Sequence, residues 1–132
     1  MEKRQIVNIV NFVRGFDPRT EDDLTLPVRE QIALMRRHGL KGTFLLQYDA
    51  LCNPAFADLV RTLEPNQFEL GVWLEMVEPL AERAGIPWKG RYAWDWQARY
   101  GFSVGYTPEE REALIDALFE GFKEQFGFYP RT

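Results

Sequence analysis

Apolar positions along this chain follow two rhythms that alternate from end to end. Residues 6–13, IVNIVNFV, are dense in β-branched side chains and bounded by charge and by Gly15, the pattern of a strand. The stretch RGFDPRTEDD, punctuated by glycine, proline and charge, reads as a loop. Over residues 26–37 the spacing becomes helical, with Leu26, Val28, Ile32, Leu34 and Met35 on one side, Pro27 in the first turn and His38-Gly39 as the stop. KGTFLLQY then returns to a period of two, with Thr43, Leu45 and Gln47 on one face and Phe44, Leu46 and Tyr48 on the other. Residues 49–63 read as a helix with a break or fresh start at Asn53-Pro54. In FELGVWLEMVEP the alternation sets Phe68, Leu70, Val72 and Leu74 against Glu69, Gly71, Trp73 and Glu75. A short helix over 78–84, ended by Gly85, precedes a long aromatic loop at 86–106. Thr107-Pro108-Glu109-Glu110 has the cap, proline and acid of a helix start, and Leu114, Leu118, Phe119 and Phe122 supply the stripe of a helix running to Gln125.

The resulting order, strand and helix in alternation, predicts an α/β fold: a parallel βαβαβα segment with crossover helices, in a single domain over residues 1–132. Three strands are few for such a sheet, whose two faces are normally both buried. The expectation is an N-terminal fragment of a larger barrel, or a chain that forms a homo-oligomer through exposed half-barrel edges.

Composition narrows the chemistry. Of 132 residues, 16 are basic and 20 acidic, a net charge of −4, and the runs of basic residues are short and scattered. Nucleic acid, which needs a clustered basic face, is not an expected partner. One histidine and one cysteine are too few for a His- or Cys-rich metal site or an internal disulfide. The N-terminus reads as a strand and not a signal peptide, because Asn8 and Asn11 interrupt its apolar run, and no segment approaches ~18 consecutive apolar residues. A cytoplasmic chain with no membrane partner is expected. Glycines 15, 39, 71 and 101 form no phosphate cradle, so nucleotide binding has no support, and no cofactor is expected.

Several segments resemble the polysaccharide deacetylase family. GLKGTFLLQY is similar to that family's second strand, where a helix ending in glycine leads into a Thr-Phe-Phe strand. The run 11-NFVRG-15 stands where the family carries T-F-D-D-G, and ELGVWLEMVEP stands where it carries I-G-x-H with a second histidine four residues on. Helix 107–126 followed by FGFYPRT is similar to the helix and Gly-Pro that lead into a fourth strand. The resemblance rests on strand order and register, and spans most of this chain but about half of the family's incomplete (β/α) barrel. It implies the N-terminal half of a deacetylase- or glycoside-hydrolase-like barrel, and a carbohydrate ligand. Its metal chemistry does not carry over. The family's catalytic and metal-binding aspartates fall on Val13 and Arg14, and its two histidines on Trp73 and Val77; a cation at Arg14 would repel a divalent metal. The departures point to a bacterial deacetylase-like branch without the metal site.

Ligands of β/α folds bind at the carboxyl ends of the strands. Here those ends carry Arg14, then Gln47 to Asp49, then Trp73 and Glu75. Glu75, partly buried beside an aromatic, suits a general acid, and Asp49 is the second carboxylate that glycoside hydrolysis would require; Asp17 and Asp95 are weaker choices. Equally, Glu75 could pair with Arg14 and lock strands together. Trp73 could stack on a sugar ring or fill the core. Trp94, Asp95 and Trp96 sit on a loop of a length that is commonly functional; it reads either as a substrate-facing lid or as an aromatic plug. Three functional classes follow: a carbohydrate hydrolase when full length and inactive as this fragment, a non-catalytic carbohydrate-binding module, and a self-associating α/β domain.

Overall fold

The computed structural model describes residues 5–132, so the charged start at 1–4 lies outside it. Three parallel strands, β1 (Val10–Val13), β2 (Gly42–Leu46) and β3 (Phe68–Val72), lie side by side in sequence order. Between them run α1 (Thr25–Arg37), α2 (Tyr48–Cys52) and α3 (Pro54–Arg61); α4 (Glu78–Arg83), α5 (Ala98–Gly101) and α6 (Pro108–Phe126) follow. The mixed α/β class and the parallel sheet agree with the sequence reading. No helix among the described residues is long and apolar enough to cross a membrane.

Register fixes which side chains share a face. Asn11, Phe44 and Leu70 stand abreast, as do Val13, Leu46 and Val72. This side meets the helices, and Val13, Phe44 and Leu46 are fully buried there. Ile32 and Met35 of α1 and Leu114, Leu118 and Phe122 of α6 complete the same core. The opposite face aligns Val10 with Thr43 and Glu69, and Phe12 with Leu45 and Gly71. It is open: Phe12 is 60% exposed. Along the outer edge of β3, the Val72 N–H donates to the Thr132 carbonyl at 2.9 Å. A Cβ on Gly71 would stand 2.1 Å from that carbonyl oxygen, so only glycine admits the approach.

Several boundaries differ from the sequence reading. The first strand is half the expected length, with Ile6 and Val7 exposed, because β2 begins only at Gly42 and offers no partner further back. The helix at 49–63 divides at Asn53, whose side chain caps the second piece by accepting from the Ala55 N–H at 3.0 Å. The loop at 86–106 contains α5 and a single 3₁₀ turn, Ser103–Gly105, which lacked any periodic signal. The cap of α6 is as expected, with Thr107 and Glu110 bonded reciprocally. Within its stripe Phe119 is half exposed, and Gly121, packed on the Tyr48 ring, is buried instead.

The contrast between the two sheet faces is measurable. Phe44→Ala should lower unfolding free energy by about 3–5 kcal/mol, whereas Phe12→Ala should change it by less than about 1 kcal/mol. Urea titrations of both variants at one protein concentration check this; a large loss at Phe12 would mean that the open face is covered in solution.

Candidate functional site

The strand ends converge as the sequence reading requires. Arg14 leaves β1, Gln47 leaves β2, and Trp73 and Glu75 leave β3. The backbone ties that set this rim are the Gln47 N–H to Val13 O at 2.9 Å and the Trp73 N–H to Leu46 O at 3.0 Å. The chain then turns, with the Glu75 N–H on Trp73 O, and Glu75 passes inward. Its side chain is 4% exposed, and Oε2 accepts from Arg14 Nη2 at 3.1 Å and from Gln47 Nε2 at 2.6 Å. Of the two readings of Glu75, the geometry carries the ion pair. One oxygen is committed to two donors, which anchors Arg14 and Gln47.

Arg14 is enclosed by aromatic faces. Its guanidinium carbon stands 3.8 Å from the Trp94 ring centroid and 5.1 Å from that of Trp73, within cation–π range. Trp73 packs on Phe12 at 4.8 Å between centroids, on the open side of the sheet.

The aromatic loop divides between both expectations. Trp94 is buried at 3% exposure, and Asp95 is completely buried. Asp95 accepts from the Arg91 side chain and backbone and from the Gln97 N–H, so its oxygens are used up inside the loop. The Arg91 guanidinium holds its carboxyl well below the usual range. Asp95 was expected to meet substrate; it is a staple of the loop instead, because neighbouring donors reach it first. Trp96 points outward, 43% exposed and stacked on Tyr92. The loop is also tied to the body, with the Met76 N–H on Gly101 O at 2.9 Å and the Glu78 N–H on Ala93 O at 2.8 Å. These bonds describe a fixed plug over Arg14.

Asp49 lies beside this cluster. Its Oδ1 accepts from the backbone N–H groups of Gly15 at 3.0 Å and Ala50 at 2.6 Å. Burial pushes its carboxyl up to about 6, against the pull of those N–H groups, of the Arg14 charge and of the Phe16 N–H. Gly15 is the site residue that sequence reasoning missed; its only signal is a glycine directly after the strand-end arginine.

Four buried side-chain atoms have no hydrogen-bond partner among the described residues: Arg14 Nε, Gln47 Oε1, Asp49 Oδ2 and Trp94 Nε1. All belong to this one cluster, whereas buried polar groups are nearly always paired. Among the described residues, no group of three or more His, Cys, Asp and Glu stands close enough to hold a metal ion. Comparison with protein-family models, with curated proteins and with solved structures returns no match.

Two stability consequences follow. Arg14→Leu leaves the buried Glu75 carboxylate without its cation and should cost about 3 kcal/mol, with part of the loss recovered in the Arg14→Leu/Glu75→Gln double variant. A double-mutant cycle from chemical denaturation measures the coupling; simple additivity would deny that the pair holds the rim together.

Asp49 gives a pH signature. Its folded value lies above the ordinary 3.8, so the folded chain binds that proton more tightly than the unfolded one. The associated stability is full below the ordinary value and is lost as pH rises through about 6. Asp49→Asn removes this loss, and the variant should match or exceed the natural chain by roughly 2 kcal/mol at about pH 8 and not at about pH 4. Melting curves at both pH values test the sign.

Proposed function

We propose that this chain is a carbohydrate-binding protein built on the N-terminal half of a deacetylase- or glycoside-hydrolase-like barrel, with its ligand at the carboxyl ends of the three strands. The observation that carries the reading is the gathering of four unpartnered buried polar atoms around Arg14. Two are N–H donors and two are oxygen acceptors, a set that neutral hydroxyl groups complement, since each hydroxyl both donates and accepts. Trp73, half-buried above this set on the open side, offers the aromatic surface on which the C–H face of a sugar ring packs. The parallel strands in sequential order fit half a barrel, whose interior would be the open face. Binding is favoured over hydrolysis because Glu75, the acid first expected to act, is tied to Arg14 and Gln47.

Exposed Phe12 and Val10 on the uncovered face favour a second reading, a self-associating α/β domain. Sedimentation across a range of concentrations separates the two, since self-association needs no sugar.

A soluble glycan panel screened against the full chain should yield a binder. Trp73→Ala should weaken it by about tenfold, the worth of one stacked aromatic, while Trp96→Ala leaves it nearly unchanged. The reverse ranking of the tryptophans would move the ligand to the outer surface of the loop. An entirely silent panel would end the carbohydrate reading.

A further inference from the structure

Each carboxylate of the rim accepts two hydrogen bonds on a single oxygen, Glu75 from two side chains and Asp49 from two backbone N–H groups. Of the two remaining oxygens it is Asp49 Oδ2 that is fully buried. Glu75 Oε2 already serves two donors. Asp49 is clamped through Oδ1 by two backbone N–H groups, with the Phe16 N–H also drawing on the carboxyl, while Oδ2 is buried and makes no hydrogen bond of ordinary length. The clamp depends on close backbone approach. A Cβ on Gly15 would lie 2.5 Å from the Ala50 nitrogen and 2.7 Å from the Asp49 carbonyl carbon, contacts that no real side chain makes.

We propose that Asp49 is the carboxyl group that meets the ligand, presented through its free oxygen by the Gly15 backbone, and that it selects neutral hydroxyl-bearing ligands over acidic ones. The inference rests on the carbohydrate reading and assigns the specificity-determining residue within it. Protonated, Asp49 Oδ2 donates to a ligand oxygen; ionised, it accepts from a ligand O–H. A neutral hydroxyl satisfies both states. A carboxylated sugar does not, because the positive charge of Arg14 is already matched by Glu75 and Asp49 would add repulsion. The charged and titratable groups around Asp49 are Arg14 from the end of β1, Cys52 one turn along α2, and Glu75 behind Arg14 from the end of β3. Burial brings the Asp49 proton equilibrium to about 6, so the change from donor to acceptor falls within an accessible pH range.

The test is a titration of the full chain, ¹³C-labelled at its Asp and Glu carboxyl carbons, with D-glucose as the neutral probe and D-glucuronate as the acidic one. Glucose should shift the Asp49 carbon, with an affinity that changes by about fivefold across the Asp49 titration, the worth of one hydrogen bond. Asp49→Asn, which keeps the clamped oxygen, should bind glucose with no such pH dependence. Glucuronate should bind more weakly than glucose to the natural chain at about pH 8, and folded Gly15→Ala should show a reduced glucose response at Asp49. A response at Glu75 with Asp49 silent overturns the assignment and leaves the carbohydrate reading standing. Preference for glucuronate overturns the selectivity, and an unchanged response in folded Gly15→Ala overturns the positioning role of the glycine. A titration in which neither carbon responds to either sugar overturns this inference, while the carbohydrate reading falls only with a silent glycan panel.

Discussion

Arg14 and Glu75 need each other, and the rim of the sheet is arranged around that need. A carboxylate with 4% exposure is costly to desolvate unless it is paired, and Glu75 answers this with a guanidinium and a buried amide on one oxygen. Arg14 in turn is flanked by two indoles, whose faces attract its charge, and Glu75 supplies the counter-charge. The pair crosses from the end of β1 to the end of β3, and Gln47 adds the end of β2. Ladder hydrogen bonds align the strands, but this charge pair decides where their continuations go. The position of Trp94, and with it the plug formed by the aromatic loop, follows from the location of the guanidinium.

A rim built only for strength would be saturated with hydrogen bonds. Each buried donor or acceptor without a partner costs about 1–3 kcal/mol, and four such atoms at one place are a substantial burden on a chain of this size. Ordered water can relieve such a cost where polar groups leave room for it. The elevated proton affinity of Asp49 belongs to the same pattern, because ionising it in the fold works against stability. Local instability concentrated where strand ends meet is what the proposed binding role would require of this rim.

The sequence was most legible where a period governs the fold. Alternation in β2 and β3 correctly divided Phe44 and Leu46 from Leu45, and Phe68 from Gly71, because one face must meet the helices and the other need not. The start of α6 and the break at Asn53-Pro54 were legible through capping chemistry, which is local. The aromatic loop was not. Without a period, nothing in the order Trp94, Asp95, Trp96 indicates that the first two turn inward and the third outward; that follows from Arg14, some eighty residues earlier in the chain. Asp95 shows the same limit from the other side, since Arg91 and the Gln97 N–H claim an acid that composition alone offers to a ligand. Gly15 was illegible because its role is to have no side chain against a backbone that only the fold brings near.

On the proposed function, the route by which a ligand would reach this rim follows from which aromatics are fixed. The loop carrying Trp94 is bound to the body through Met76 and Glu78 and stapled internally by Asp95, so admitting a ligand from that side would break several bonds at once. The open face of the sheet has no such obstacle. Exposed Phe12 and half-buried Trp73 form an aromatic pair directly before Arg14, whose side chain is 27% exposed. A ring-shaped ligand entering across this pair would gain apolar contact first and polar contact afterwards, as the Arg14 cluster came within reach. Trp94 would then act from beneath, holding the guanidinium in place, while Trp73 meets the ligand.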